Sequence, residues 1–119
     1  MAETALDYEH ASDLELCRPI VRRDRQAVRL VTRRNNQRLY RAAWSVLKNR
    51  AEAEEAVQDG YLKAFAAIGS FDGRSSLSTW LTRIVVNEAL GRRRTTQRRA
   101  RLLQAHDVTD IADYRESAM

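Results

Sequence analysis

The stretch Asn49-Arg50-Ala51-Glu52-Ala53-Glu54-Glu55-Ala56-Val57-Gln58-Asp59-Gly60-Tyr61-Leu62-Lys63-Ala64-Phe65 decides the fold. Asn49 followed by Glu52 has the spacing of a helix cap, with Asn in place of the usual Ser or Thr. Behind it Ala53, Val57, Tyr61, Ala64, Phe65 and Ile68 recur at three-to-four spacing, which predicts a helix to about Ile68 with one apolar face. Glu55, Gln58 and Asp59 share a face outside the Val57-Tyr61-Phe65 stripe, while Glu54 lies nearer its edge. Gly60 costs on the order of 1 kcal/mol against alanine in such a helix. Close approach of a neighbouring helix would explain its presence.

Upstream, Asp24 is a fitting N-cap for a helix running to about Lys48. Val28, Val31, Leu39, Ala43, Val46 and Leu47 fall largely on one of its faces, with Asn35 and Asn36 weakening its middle. Ser12 and Glu15 have the capping-box spacing, so a first helix is expected from Ser12 with Leu14, Leu16, Ile20 and Val21 as its apolar residues. Pro19 removes a backbone donor, so this helix should be short, kinked or broken. The residues before Ser12 read as a frayed arm. Downstream, Gly69-Ser70-Phe71-Asp72-Gly73-Arg74-Ser75 is the clearest loop. Ser75 or Ser76 can cap a fourth helix that turns Leu77, Trp80, Leu81, Ile84 and Val85 inward. Gly91 is expected to loosen that helix before an arginine run, and the pattern fades beyond about Gln104 into an acidic tail.

Four glycines and one proline in 119 residues argue against a turn-rich β-fold. The expected architecture is all-α: one small, mostly antiparallel bundle of three long helices plus a short N-terminal helix. Its expected organisation is an arm over residues 1–11, a helical domain over 12–104 and the start of a linker over 105–119.

The net charge is +5, so a polyanion is the first partner to consider. Arg83, Arg92, Arg93, Arg94, Arg98, Arg99 and Arg101 face a single acid, Glu88, between residues 83 and 101. Glu52, Glu54, Glu55 and Asp59 form a separate acidic cluster, and two faces of opposite sign suggest two partners. Cys17 stands alone, which forbids an intramolecular disulfide and suits a reducing, cytoplasmic setting. No signal-peptide pattern opens the chain and no apolar run approaches the ~20 residues of a membrane span, so no membrane insertion is expected. No enzymatic activity and no cofactor are expected either. His10 and His106 lack companions at metal-ligand spacing, and phosphate- or dinucleotide-binding glycine loops are missing.

Three segments taken in order closely resemble region 2 of the extracytoplasmic-function (ECF) sigma factors of bacterial RNA polymerase. They are the acidic helix of residues 49–65, the loop Ser70-Phe71-Asp72-Gly73-Arg74-Ser75-Ser76-Leu77, and the helix Ser78-Thr79-Trp80-Leu81-Thr82-Arg83-Ile84-Val85-Val86-Asn87-Glu88-Ala89 leading into Arg92-Arg93-Arg94. The likeness covers roughly residues 13–101. It implies a domain that binds core polymerase and recognises and melts the promoter −10 element, holding the non-template strand. By resemblance, Glu54, Glu55, Gln58 and Asp59 match the surface that docks on the β′ clamp coiled coil. Ser70, Phe71, Asp72, Gly73, Arg74 and Ser75 match the loop that pockets a flipped base. Trp80 matches a position implicated in melting, Asn87 a polar position facing the −10 bases, and Arg83 with Arg92, Arg93 and Arg94 positions that hold phosphates. An anti-sigma factor is expected as a further partner.

Several residues keep a second reading. Phe71 and Trp80 also suit the core, and the terminal arginines also suit a polybasic tail. Pro19 and Gly60 depart from the family pattern. Such factors also carry region 4, a helix-turn-helix domain that reads the −35 element; it is not expected within these residues, and residues 105–119 are expected to begin the linker to it. The rival expectations are a helical DNA-binding repressor or nucleoid-type protein, which would explain the arginines but not the acidic helix, and a protein-interaction adaptor without DNA binding.

Overall fold

The computed structural model describes residues 8–118, with side-chain surroundings for residues 8–106. A 3₁₀ turn (Tyr8–His10) precedes α1 (Asp13–Val21), α2 (Arg25–Leu47) and α3 (Arg50–Ala66), and a second 3₁₀ turn (Ile68–Ser70) leads into α4 (Leu77–Ala118). No strand occurs among the described residues, and the all-α architecture is as the sequence implies. Contacts along the helices set their directions: Gly60 faces Val85 and Asp59 faces Arg92, so α3 is antiparallel to α4. Tyr61 reaches Thr32 and Asn36 on α2.

Each helix start is fixed by the side chain that spacing suggested. Ser12 and Glu15 close a reciprocal capping box, with Glu15 N–H donating to Ser12 Oγ at 3.1 Å and Ser12 N–H to Glu15 Oε1 at 2.9 Å. Asp24 accepts from Ala27 N–H at 3.1 Å, Asn49 from Glu52 N–H at 2.9 Å and Ser76 from Thr79 N–H at 3.1 Å. Each satisfies an amide that the first helical turn leaves without a partner. α2 ends with Lys48 in the left-handed region (φ 54°), and Asn49 immediately starts α3.

The core is Leu16 and Ile20 from α1, Ala27, Leu30, Val31, Leu39 and Ala43 from α2, a small-residue line from α3, and Leu77, Leu81, Val85 and Ala89 from α4. The line on α3 is Ala53, Ala56, Gly60 and Ala64. The expected stripe of Val57, Tyr61 and Phe65 is only partly buried and flanks it. Small residues let α3 lie close to α4: a β-carbon on Gly60 would stand 2.5 Å from Val85 Cγ2. The one buried polar side chain among the described residues is also paired. Asn35 donates to Val31 O at 2.8 Å and accepts from the Ser78 hydroxyl, tying α2 to the start of α4.

Other expectations need correction. α1 is short, at nine residues, as expected, but Pro19 does not break it, because it lies in the last turn, where one missing amide bond is tolerated, and its carbonyl accepts from Asp24 N–H at 2.9 Å. Leu14 and Val21 point outward. α3 stops at Ala66 instead of Ile68, which begins the 3₁₀ turn. Part of the expected arm is docked: Tyr8 donates to Asp24 Oδ2 at 3.1 Å and Glu9 pairs with Arg33 at 2.9 Å, while residues 1–7 lie outside the described residues. α4 runs through Gly91 and past Gln104 to Ala118, since neither proline nor a second glycine follows to stop it. No described helix is long and apolar enough to cross a membrane.

The Gly60–Val85 contact has a measurable consequence. Gly60→Ala should destabilise by about 1–2 kcal/mol, overpacking outweighing the gain in helix propensity. Urea unfolding of the single variant and of Gly60→Ala with Val85→Ala should show favourable coupling, the second change making room for the first.

Candidate nucleic-acid interface and acidic face

The loop between α3 and α4 is built on α1. Asp13 Oδ2 accepts the Leu77 amide at 2.8 Å, so a side chain of the first helix caps the fourth. Gly73 adopts φ +80°, and Leu14 Cδ1 stands 3.1 Å from where a β-carbon on it would be. Within the loop, Ser70 donates to Ala67 O at 2.7 Å, and Asp72 accepts from the Arg74 amide at 3.1 Å and pairs with its guanidinium at 2.9 Å. Ser75 donates to Ser76 O at 3.2 Å. Phe71 is buried, 6% exposed, with its ring 5.5 Å from that of Trp80. Its aromatic face is therefore committed inward, while Ser70, Asp72, Gly73 and Arg74 stay exposed.

Trp80, Arg83, Asn87 and Arg94 recur at helical spacing along one side of α4. Trp80 is partly buried and the other three are exposed. Beside this row α4 and α2 enclose a cleft of about 330 Å³ lined by Thr79, Thr82, Arg83, Val86 and Asn87 from α4 and Arg38 from α2. Arg38 was missed in the sequence, where no arginine before Arg74 was singled out. The signal was present: Arg34, Arg38 and Arg41 form an i, i+4, i+7 row on α2. Arg34 is engaged with Glu9, at 2.9 Å to its carbonyl, whereas Arg38 opens on the cleft. Arg93 and Arg94 lie beyond the packed part of α4, on a segment whose residues from Arg93 to His106 are all exposed.

Arg92 points the other way, to α3. Its guanidinium pairs with Asp59, with Glu88 at 3.2 Å and with Glu55 at 3.7 Å, and Glu88 also binds Lys63. The basic run and the acidic helix thus meet at the α3–α4 seam, and Arg92 is occupied by carboxylates. Of the acidic-face residues, Asp59 and Glu55 border this seam. Glu54 pairs with Arg50 at 3.3 Å, and Gln58 is exposed. Glu54 and Gln58, one helical turn apart, form with Leu62 an outward row, and Leu62 is 66% exposed.

Burial pushes the Tyr61 phenol far up, and it serves as a fixed donor to Asn36 Oδ1 at 2.7 Å. Burial first, then Asp13, raises the Cys17 thiol. The Lys63 hydrogen bond, against burial and aided by Arg92, holds the Glu88 carboxyl below its ordinary 4.5.

The described geometry is that of a helical domain with a basic cleft and loop on one side and a carboxylate-bearing helix on another. The sigma-70 region 2 family model matches residues 31–99, more than half of the chain, so the chain belongs to that family. The chain is 36% identical over 102 residues to the ECF RNA polymerase sigma factor SigM of Mycobacterium tuberculosis, covering 86% of this chain and 52% of that protein. It is 30% identical over 77 residues to the RNA polymerase sigma-H factor of Pseudomonas aeruginosa, covering 65% and 40%. Likeness to the sigma factor NccH of Alcaligenes xylosoxydans xylosoxydans is 31% over 98 residues, covering 82% and 53%. The chain therefore resembles ECF sigma factors and spans about half the length of the curated relatives it matches.

The seam between α3 and α4 should be visible in acid. Glu88 is depressed in the folded state, so its stabilisation is complete above about pH 4.5 and is lost as pH falls through the lowered folded value. Urea unfolding from roughly pH 7 down to 3 should show this acid limb diminish in Lys63→Met, which removes the largest cause of the depression.

Proposed function

We propose that this domain acts in transcription initiation, docking on core RNA polymerase through α3 and engaging the promoter −10 element through the loop and α4. The observation that carries the reading is that one bundle of the sigma-70 region 2 family bears a basic cleft on one side and a carboxylate-bearing helix on another. On α3, Glu54, Glu55, Gln58 and Asp59 face the β′ clamp coiled coil. Basic side chains of the coiled coil would take over the carboxylates that Arg92 holds in the unbound domain.

On the other side the chemistry suits a single strand. A base leaving the stack needs a walled pocket, polar groups for its edge and cations for its phosphate. Ser70, Asp72, Gly73, Arg74 and Ser75 supply the loop's polar wall, with Phe71 as its inner support against Trp80. Asn87 reads a base edge from the α2–α4 cleft, and Arg83, Arg38, Arg93 and Arg94 hold phosphates. Arg92 joins them only when released from its carboxylates. The surroundings are cytoplasmic, and an anti-sigma factor restrains the domain by covering one of these faces. Residues 12–104 form the functional unit and residues 105–119 lead towards an interdomain linker.

Binding to purified β′ clamp coiled coil tests the first half. Glu55→Lys with Asp59→Lys should weaken it about tenfold or more, whereas Arg92→Ala, which leaves both carboxylates in place, should bind at least as tightly as the wild type. Absence of wild-type binding, where an established sigma factor binds, would discard the reading.

For the second half, fluorescence anisotropy with a single-stranded −10 oligonucleotide should show about a 3- to 10-fold loss for Asn87→Ala, strongest on the preferred sequence. Arg38→Ala should lose affinity on all sequences alike and flatten the salt dependence. Equal preference for duplex DNA, without polymerase binding, would favour a helical repressor instead.

A further inference from the structure

The 3₁₀ turn before α1 is fastened to α2 on either side of Glu9. Tyr8 donates its hydroxyl to Asp24 Oδ2 at 3.1 Å, and its carbonyl accepts from Ala11 N–H at 3.2 Å. Glu9 is thereby held against two guanidinium groups at once. Arg33 donates to Glu9 Oε1 at 2.9 Å, and Arg34 stands 3.6 Å from Oε2 while donating to the Glu9 carbonyl at 2.9 Å. Arg34 begins the row Arg34, Arg38, Arg41 on α2, and of these three it alone has a carboxylate partner among the described residues.

Two guanidinium groups converging on one oxyanion make a seat that a backbone phosphate also fits, since both anions offer oxygens to the same donors. Its place along the molecule suits a strand. Arg34 precedes Arg38 by one turn, and its neighbour Asn35 accepts from Ser78, so Arg34 lies level with the first turn of α4, at the end of the α2–α4 cleft nearest the loop. A strand whose phosphates follow Arg83 and Arg38 reaches Arg33 and Arg34 next. The ion pairs there are exposed, Glu9 at 61%, Arg33 at 64% and Arg34 at 41%, so water and salt weaken them and they exchange readily. We infer that Arg33 and Arg34 form a further phosphate site for a single strand, which Glu9 fills in the unbound domain and yields when the strand arrives. The inference rests on the reading of the loop and cleft proposed above. Glu9 is then a competitor carried by the chain itself, which lowers affinity for the strand's backbone and leaves base reading to Asn87 and the loop.

A fluorescein-labelled single-stranded −10 oligonucleotide, titrated with the full 119-residue chain and followed by anisotropy, tests the exchange. Glu9→Gln removes the charge and keeps the size. It should bind about 2- to 5-fold tighter than the wild type, and its log–log salt dependence should steepen by about 0.7. Tyr8→Phe changes no charge but unfastens the turn, and should tighten binding about twofold. Arg33→Ala with Arg34→Ala should weaken binding about 3- to 10-fold, and adding Glu9→Gln to that pair should gain nothing. An uncharged methylphosphonate placed at each linkage in turn should find one whose neutralisation weakens the wild type but not the Arg33→Ala, Arg34→Ala variant. Circular dichroism checks that every variant stays folded. The inference is overturned if Glu9→Gln and Tyr8→Phe bind no tighter. It is equally overturned if the gain from Glu9→Gln persists without Arg33 and Arg34, which would make Glu9 a source of long-range repulsion only. Binding that depends on Asn87 and Arg38 but not on Arg33 and Arg34 overturns this site and leaves the loop and cleft reading standing. No binding by the wild type or by Glu9→Gln overturns both.

Discussion

Gly60 lies against Val85, and the missing β-carbon there sets how near α3 and α4 can come. With Ala53, Ala56 and Ala64 it gives α3 a contact line without bulk. The separation lets Arg92 and Lys63 bridge to carboxylates across the seam, and it places Val57, Tyr61 and Phe65 along the edge towards α2. A wider spacing would leave Glu88 without Lys63 and Arg92 without Asp59. Packing of the smallest side chains thus governs the placement of the largest and the charged ones.

The charge pattern gains a different sense in three dimensions. In the chain, acids gather near residue 55 and arginines after residue 83, as though the two were meant to stay apart. In the fold one arginine crosses between them and is held by three carboxylates, while its neighbours Arg93 and Arg94 remain exposed. Ion pairs at such half-exposed positions contribute modestly to stability. Their larger effect is on orientation, since they align α3 with α4 and present each face at a set angle to the other.

Much of this was legible in the sequence where the physics is local. Ser12, Asp24, Asn49 and Ser76 cap the helices as their spacing suggests, because a cap needs only its own first turn. Gly60 was legible as a sign of close packing, since few other causes place glycine inside a helix. The buried side of α3 was misphased because Tyr61 and Phe65 dominate any count of apolar residues, whereas alanines carry little signal. Arg92 and Arg38 were opaque for another reason: which arginine turns to a carboxylate and which to a cleft depends on helices far apart in the chain. Phe71 illustrates the same limit, as its burial depends on Trp80 and on the loop's seat against α1.

The cap that Asp13 places on Leu77 links the two ends of the domain in a way the core does not. Together with Leu14 beneath Gly73, it makes the short first helix a splint for the loop. A splint of this kind transmits displacement: whatever shifts α1 along its axis, even by a fraction of a turn, shifts the loop's mouth with it. The short first helix is thereby mechanically geared to the loop between α3 and α4, which it meets at Gly73 and Leu77.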